Sequence, residues 1–286
     1  MYAGRFAPSP TGPLHFGSLV AALASWLDAR AAKGLWHVRI EDLDRPREQE
    51  GAADDILRTL EQLGLYWDGP VIFQSRRAVL YEEALQALRT HTYWCGCSRR
   101  EIADSSLGVA ADGAQIYPGT CRDGLHPGKT PRALRVKTGA EEVVFQDRVQ
   151  GLQQQILDVA VGDFVLYRAD GQFAYQLAVV VDDAEQSITD IVRGADLLDS
   201  TARQIHLQRL LGHPRPRYMH VPVAVDAGGE KLSKQTGAQP VDPSKKEAVL
   251  AEALRFLGQP GTGDLAEAAH NWNPARIPAC RTIALA

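Results

Sequence analysis

YAGRFAPSPTGPLHFGSLVAALASWLDARAAKGLWHVRI, residues 2–40, is the stretch that decides the fold class. Residues 2–7 are strand-like. The segment Pro8-Ser-Pro-Thr-Gly-Pro13 that follows cannot continue as helix or central strand, because proline lacks the N–H that either hydrogen-bond ladder needs. From Leu14 to Ala32 the sequence is Ala/Leu-rich, with Leu19, Leu23, Trp26, Leu27 and Arg30 at helical spacing, and Gly34 reads as the stop. Leu35–Ile40 alternates weakly and carries Val, Ile and Trp, which suggests a second strand. Strand, helix, strand within 40 residues is a βαβ unit, the building block of a parallel sheet. It predicts an α/β protein with a Rossmann-like, doubly wound parallel sheet.

Outward from this unit, residues 48–64 and 76–90 read as amphipathic helices. Trp94 to Gly128 is rich in Gly, Ser, Asp and Cys and has little periodicity, so it is expected to be an insert held by something other than a core. Strand-like segments follow at 131–137, 142–145, 164–167 and 173–181, then a helix at 196–211 and a strand at 219–225. A polar loop at 226–236 precedes helices at 244–256 and 263–270 and a Pro-containing tail. The expected division is 1–92 for the first half of the main α/β domain and 93–130 for the insert. Residues 131–236 would form the connective region and the rest of the main domain, and 237–286 a short helical C-terminal region.

With 286 residues, 45% hydrophobic and 23% charged, the chain can bury a full core and is not disordered by composition. A net charge of −4 argues against a protein coated in positive charge, but a local basic face is enough for RNA. No run of about 18 apolar residues occurs and the N-terminus lacks a signal-peptide pattern, so no membrane association is expected. Four cysteines in this length do not suggest a disulfide scaffold; a cytoplasmic, reduced setting and a monomer are expected.

The turn from first strand to first helix aims unpaired N–H groups and the positive helix end outward, which suits phosphate. Gly12 and Gly17 remove side chains where a nucleotide would approach, and His15 can donate to a phosphate oxygen. A Pro/Gly turn with a helix cap would look the same. More than 200 residues on, Asp226-Ala-Gly-Gly-Glu-Lys231-Leu-Ser-Lys234-Gln carries two lysines three residues apart, whose ammonium groups suit the charge on a leaving pyrophosphate.

In this order the two segments resemble the HIGH and KMSKS signatures of class I aminoacyl-tRNA synthetases, reading here HFGS and KLSKQ. Ser18 keeps a hydrogen-bonding group at the last position of the first, but not a chargeable one. The resemblance implies ATP as substrate, with Mg²⁺, bound by His15, Gly17, Ser18, Lys231 and Lys234, of which His15 and Lys234 would be catalytic. Arg5-Phe-Ala-Pro-Ser9 through His15 is similar to the opening of glutamyl-tRNA synthetases. So are Arg39-Ile-Glu41-Asp-Leu-Asp44, Tyr175 through Asp183, and Val192-Arg193-Gly-Ala-Asp-Leu-Leu198. The resemblance covers residues 3–236. It implies an L-glutamate pocket lined by Arg5, Phe6, Ala7, Pro8, Ser9, Glu41, Tyr175 and Arg193. The chemistry agrees: arginine matches a carboxylate bidentately, and a carboxylate such as Glu41 matches an ammonium.

Cys95-Gly-Cys97 and Cys121 fall in the insert, and Tyr117 stands four residues before the last. Two thiolates one residue apart, with further donors some 20 residues on, suit a tetrahedral structural Zn²⁺, which would hold a core-poor loop. Tyrosine is an unusual ligand, so water or His126 could take the fourth position, and three free thiols are the alternative. A Cys-x-Cys…Tyr-x-x-x-Cys arrangement occurs among glutamyl-type synthetases, which favours Cys95, Cys97, Tyr117 and Cys121. Cys280 lies far off in the tail.

A glutamyl-tRNA synthetase continues well beyond the lysine loop into an anticodon-reading helical domain, whereas here 51 residues follow Gln235. That combination resembles the glutamyl-queuosine tRNA(Asp) synthetases, a short paralogous family. The resemblance implies transfer of glutamate to queuosine at the wobble position of tRNA(Asp). The alternatives are a minimal glutamyl-tRNA synthetase charging the 3′ end of tRNA(Glu), a nucleotidyltransferase acting on another acid, and a non-catalytic glutamate or tRNA binder. Finally, Arg203, Arg209, Arg215 and Arg217 with His206, His213 and His220 form a stretch, 200–225, without an acidic residue; it would contact tRNA or form a solvated helix face.

Overall fold

The computed structural model describes residues 1–226, 228–230 and 239–285. The opening unit is β1 (Ala3–Phe6), α1 (Phe16–Ala31) and β2 (Leu35–Ile40), with β1 and β2 parallel from Ala3↔Leu35 to Phe6↔Val38. Leu19, Leu23 and Leu27 of α1 are fully buried, as their spacing predicts. After the helix the chain must reverse tightly against the first strand. Gly34 allows it: a Cβ there would stand 2.5 Å from the carbonyl oxygen of Tyr2.

The chain continues through α2 (Ala52–Leu63), β3 (Ile72–Phe73), α3 (Ala78–Ala87), β4 (Thr92–Cys95) and α4 (Arg99–Ser105). Next come β5 (Ala133–Val136), β6 (Glu142–Asp147), β7 (Gly151–Ile156), α5 (Leu157–Ala160), β8 (Val165–Tyr167) and α6 (Tyr175–Glu185). The remainder is β9 (Asp190–Gly194), α7 (Thr201–Leu211), β10 (Arg217–Val221), β11 (Val223–Val225), α8 (Lys246–Phe256), α9 (Leu265–His270) and β12 (Thr282–Ala284).

Two parallel sets, β3-β2-β1 and β9-β10-β6, meet where the Thr189 N–H donates to the Ala3 carbonyl at 2.9 Å. Successive residues of β9 and β10 enter opposite cores. Ile191 and Tyr218 join one built with α3, α6 and α7; Val192 and Met219 join the other, with α1, α2 and α8. Helices therefore cover both faces of a parallel sheet, as the opening unit predicts. A separate antiparallel sheet, β4-β5-β8, carries the cysteine-bearing segment. Among the described residues no helix is long and apolar enough to cross a membrane.

The local reading is corrected at three places. The segment 173–181, expected as a strand, is mostly the helix α6. Its residues from Leu177 to Asp183 are all buried, so no polar face reveals a helical period, and three consecutive valines read as β-branched strand. Tertiary burial overrides that propensity. Residues 151–156, which carried no strand signal, form β7 as the antiparallel partner of β6. The expected strand 219–225 is divided at Pro222, which cannot donate to a ladder. In the tail, β12 pairs in parallel with β11.

Candidate active site

A cavity of about 590 Å³ opens where β1, β2 and β9 end, the position at which open α/β sheets bind ligands. Arg5 and Phe6 line it from the end of β1, and Ala7, Pro8 and Ser9 directly after that strand. The Glu41 N–H donates to the Pro8 carbonyl at 2.9 Å, which draws the end of β2 beside this segment. Tyr175 at the start of α6 and Arg193 in β9 complete one end. His15, Gly17 and Ser18 of the α1 N-terminus line the other. The structure thus gathers every sequence-predicted glutamate and ATP residue that it describes around one space. Lys231 and Lys234 lie outside the described residues.

Groups able to receive a phosphate are concentrated at the start of α1. His15 caps the helix: its Nδ1 accepts the Ser18 N–H at 3.3 Å, and its Nε2 lies 2.9 Å from the Ser18 hydroxyl. Ser18 therefore holds the imidazole against the helix end. Gly12, in the preceding turn, has φ +135°, a conformation costly for a residue with a Cβ.

Two of the cavity arginines, Arg5 and Arg193, are held differently. Arg5, 3% exposed, donates from Nε and Nη2 to the two carboxylate oxygens of Asp183 at 3.0 and 3.2 Å. Asp183 also takes Arg39 Nη2 at 2.8 Å. Burial alone would push the Asp183 carboxyl up, but Arg5 and Arg39 hold it below the usual carboxylate range. Among the described residues the hydrogen-bond partners of Arg193 are neutral: His220 Nε2 at 3.0 Å, Tyr175 Oη at 3.4 Å, Thr201 Oγ1 at 3.0 Å, Gln204 Oε1 at 2.8 Å and the Leu197 carbonyl at 3.3 Å. Glu41 lies 3.4 Å from Arg39, and burial pushes its carboxyl up to about 7 against the pull of Arg39 and Arg5. Burial likewise raises the Tyr175 phenol.

Some cavity residues had not been singled out in the sequence: Thr11, Leu14, Arg47, Asp196, Leu197 and Glu230. Asp183 stood in a quoted motif without a role. The only sequence signal was a pair of acids, Asp182-Asp183, closing an apolar run, where a charge must find a partner. The basic stretch 200–225 does not act as one surface. His220 is fully buried and Arg203 is 7% exposed and paired with Asp112, while Arg209, Arg215 and Arg217 are exposed.

The metal-ligand candidates converge in the β4–β5 connection. The sulfurs of Cys95, Cys97 and Cys121 lie within 4.8 Å of one another, Cys97 and Cys121 at 3.6 Å. Tyr117 Oη is 3.4 Å from the sulfurs of both Cys95 and Cys97 and accepts the Cys121 N–H at 3.1 Å. Tetrahedral Zn–S bonds of about 2.3 Å place sulfurs about 3.8 Å apart, so the set fits a zinc ion. His126 is exposed and outside the converging group, and the half-buried Cys280 is also outside it.

The parallel sheet, the helix-capped phosphate turn and the arginine-lined cavity together define a class I synthetase catalytic domain, and the family model of tRNA synthetases class I (E and Q), catalytic domain, matches residues 2–261. The chain is 62% identical over 262 residues to a protein named glutamyl-Q tRNA(Asp) synthetase from Verminephrobacter eiseniae, covering 90% of each. It is 60% identical over 260 residues to one of the same name from Dechloromonas aromatica, covering 90% of this chain and 86% of that one. The crystal structure of a glutamate-tRNA synthetase from Elizabethkingia anophelis superposes with a TM-score of 0.84 at 25% identity, over 100% of this chain and 68% of that chain. A glutamate tRNA ligase from Elizabethkingia meningosepticum in complex with its amino acid gives 0.81 at 26% identity, over 98% and 66%. The chain belongs to the class I tRNA synthetases for glutamate and glutamine and, within them, to the glutamyl-Q tRNA(Asp) synthetases.

Proposed function

We propose that the chain activates L-glutamate with ATP and transfers the glutamyl group to the queuosine base of tRNA(Asp). The supporting observation is the single cavity that joins the α1 phosphate end to Arg5, Glu41, Tyr175 and Arg193. A cavity of about 590 Å³ suits a small-molecule substrate pair, and its two ends offer cationic and hydrogen-bonding groups for carboxylate and phosphate. The relatives' shared name supplies the acceptor.

In the first step a carboxylate oxygen of glutamate attacks the α-phosphorus of ATP, which enters with Mg²⁺, and pyrophosphate leaves. No covalent enzyme intermediate is needed, so orientation and charge stabilisation carry the rate. His15 and the N–H groups at the start of α1 would receive the phosphates, and Ser18 would fix the His15 ring. Lys231 and Lys234 would oppose the leaving pyrophosphate. Glu41 would take the substrate ammonium, and Arg5, Tyr175 and Arg193 would orient its carboxylates. In the second step a hydroxyl of the queuosine cyclopentenediol attacks the activated carbonyl, loses its proton, and AMP departs. Cys95, Cys97, Tyr117 and Cys121 would hold Zn²⁺, which supplies folding of the insert rather than a step of the reaction.

The test is transfer of labelled glutamate to tRNA(Asp) with and without queuosine, each also prepared without its 3′-terminal nucleotide. Labelling that needs queuosine and survives 3′ truncation is expected. Equal labelling of unmodified tRNA, or loss on truncation, would transfer the assignment to 3′-end charging.

A further inference from the structure

Behind Arg193, away from the cavity, lies a buried pair that the reaction above does not use. His220 on β10 is fully buried, and its Nδ1 is 2.6 Å from Oδ2 of Asp147, which is 1% exposed. The other oxygen of Asp147 accepts three backbone N–H groups, from Val149 at 3.0 Å, Gln150 at 2.8 Å and His220 at 3.2 Å. The carboxylate is thereby fixed in place. On its far side, His220 Nε2 is 3.0 Å from Arg193 Nε.

This geometry dictates the protonation state. The arginine nitrogen is always a donor, so Nε2 must present a lone pair, and Nδ1 must carry the proton given to Asp147. The imidazole is then neutral. Burial agrees, pushing His220 down to about 4 against the opposing pull of Asp147. The consequence falls on Arg193. Its Nε and Nη2 are tied into the interior, which leaves Nη1, beside Tyr175, as the end with a donor to spare. Because each partner is uncharged, the guanidinium keeps its charge, whereas Asp183 neutralises Arg5 from behind.

We propose that Asp147 and His220 are positioning residues for the amino-acid half of the site: Asp147 sets the His220 tautomer, and His220 anchors Arg193 by its Nε without cancelling its charge, so that Nη1 meets a carboxylate of the substrate. The proposal rests on the reading of the cavity as an amino-acid site. It differs from a structural role in what it changes: amino-acid binding alone, not ATP binding.

Three variants read it in ATP–pyrophosphate exchange. Asp147→Asn keeps the shape and the oxygen that accepts the backbone N–H groups, but its amide donates to Nδ1 and turns the ring proton toward Arg193, donor against donor. His220→Asn withdraws the acceptor that faces Arg193, whereas His220→Gln restores one near the Nε2 position. The first two should raise KM for glutamate about tenfold with KM for ATP within about twofold, and His220→Gln should stay within about threefold of wild type. Melting temperatures identify any variant that is not folded, and the remaining pair still carries the comparison. A parallel rise in both KM values, or equal effects of Gln and Asn at position 220, overturns the proposal. Should wild-type exchange require a different amino acid, the glutamate reading falls, and the same split is measured with that amino acid.

Discussion

Glu41 is a cavity residue whose chemistry departs far from its ordinary state, since burial pushes its carboxyl up to about 7. A folded-state value raised above the unfolded one near 4.5 contributes stability that is full below about pH 4.5 and lost as pH rises through about 7. Between pH 5 and 8 the wild type should therefore lose roughly 2–3 kcal/mol relative to Glu41→Gln, measured by urea unfolding. An ammonium in the cavity reverses the shift, because it favours the carboxylate. Substrate then binds best to the ionised form, and KM for glutamate should fall about tenfold from pH 6 to pH 8, with a flat profile in Glu41→Gln. A wild-type KM independent of pH would remove Glu41 from the ammonium site. Glu41, Arg5, Tyr175 and Arg193 were legible because each sits in a short motif. Their supports were not. Asp183 lies 178 residues from Arg5 in the chain, and His220 read as one basic residue among seven rather than as a buried neutral acceptor. Sequence shows what a side chain can offer; only the fold shows whether water is present to share it.

At the scale of elements, local pattern succeeded where one face of an element meets water and failed where neither does. Helix α2 alternates buried Ile56, Leu60 and Leu63 with exposed charge, and its sequence shows that period. Helix α6 is buried along Leu177–Asp183, so its apolar run carries no period to read. The insert presents the opposite case: its buried cluster consists of Cys95, Tyr117 and Cys121, with Tyr93, Cys97, Ile102 and Leu125 packed partly against it. So small a cluster cannot order more than 30 residues by burial alone, and the thiols gather where a metal would supply the difference. Cys97→Ser should lower bound zinc from about one per chain to well under half, measured by atomic absorption. It should also speed limited proteolysis between residues 98 and 130 while the main melting transition moves little, because the β1–β2–β9 core does not include these residues. Unchanged zinc content would exclude Cys97 as a ligand.

For the whole molecule, the fold class was legible because the deciding βαβ unit is local, whereas the contacts that close the chain are not. They converge on Asp28, a buried residue of α1. Its carboxylate accepts the Tyr2 hydroxyl at 2.7 Å, both terminal nitrogens of Arg148, and the Trp272 indole N–H at 2.9 Å, so the N-terminal strand, the β6–β7 turn and the C-terminal region are tied to one helix. Nothing in the sequence of α1 distinguishes this aspartate from a solvated one. Burial alone would push it up, but Arg148, Trp272 and Tyr2 hold it below the usual carboxylate range. Here the sign is opposite to that of Glu41: the stability it contributes is present above the unfolded value near 3.8 and lost as pH falls through the lower folded one. Asp28→Asn leaves Arg148 without its counter-charge, and breaking such a pair costs about 3–5 kcal/mol when both partners are buried. Since Arg148 is 31% exposed, a cost of about 2–3 kcal/mol at pH 7 is expected, shrinking toward pH 3 as the carboxyl of the unfolded wild-type chain takes up its proton. Asp28 does not line the cavity, so KM for glutamate and for ATP should be unchanged in the folded variant. Urea unfolding at the two pH values decides it: an equal loss at both would mean that Asp28 acts through shape alone and that its charge does not hold the three regions together.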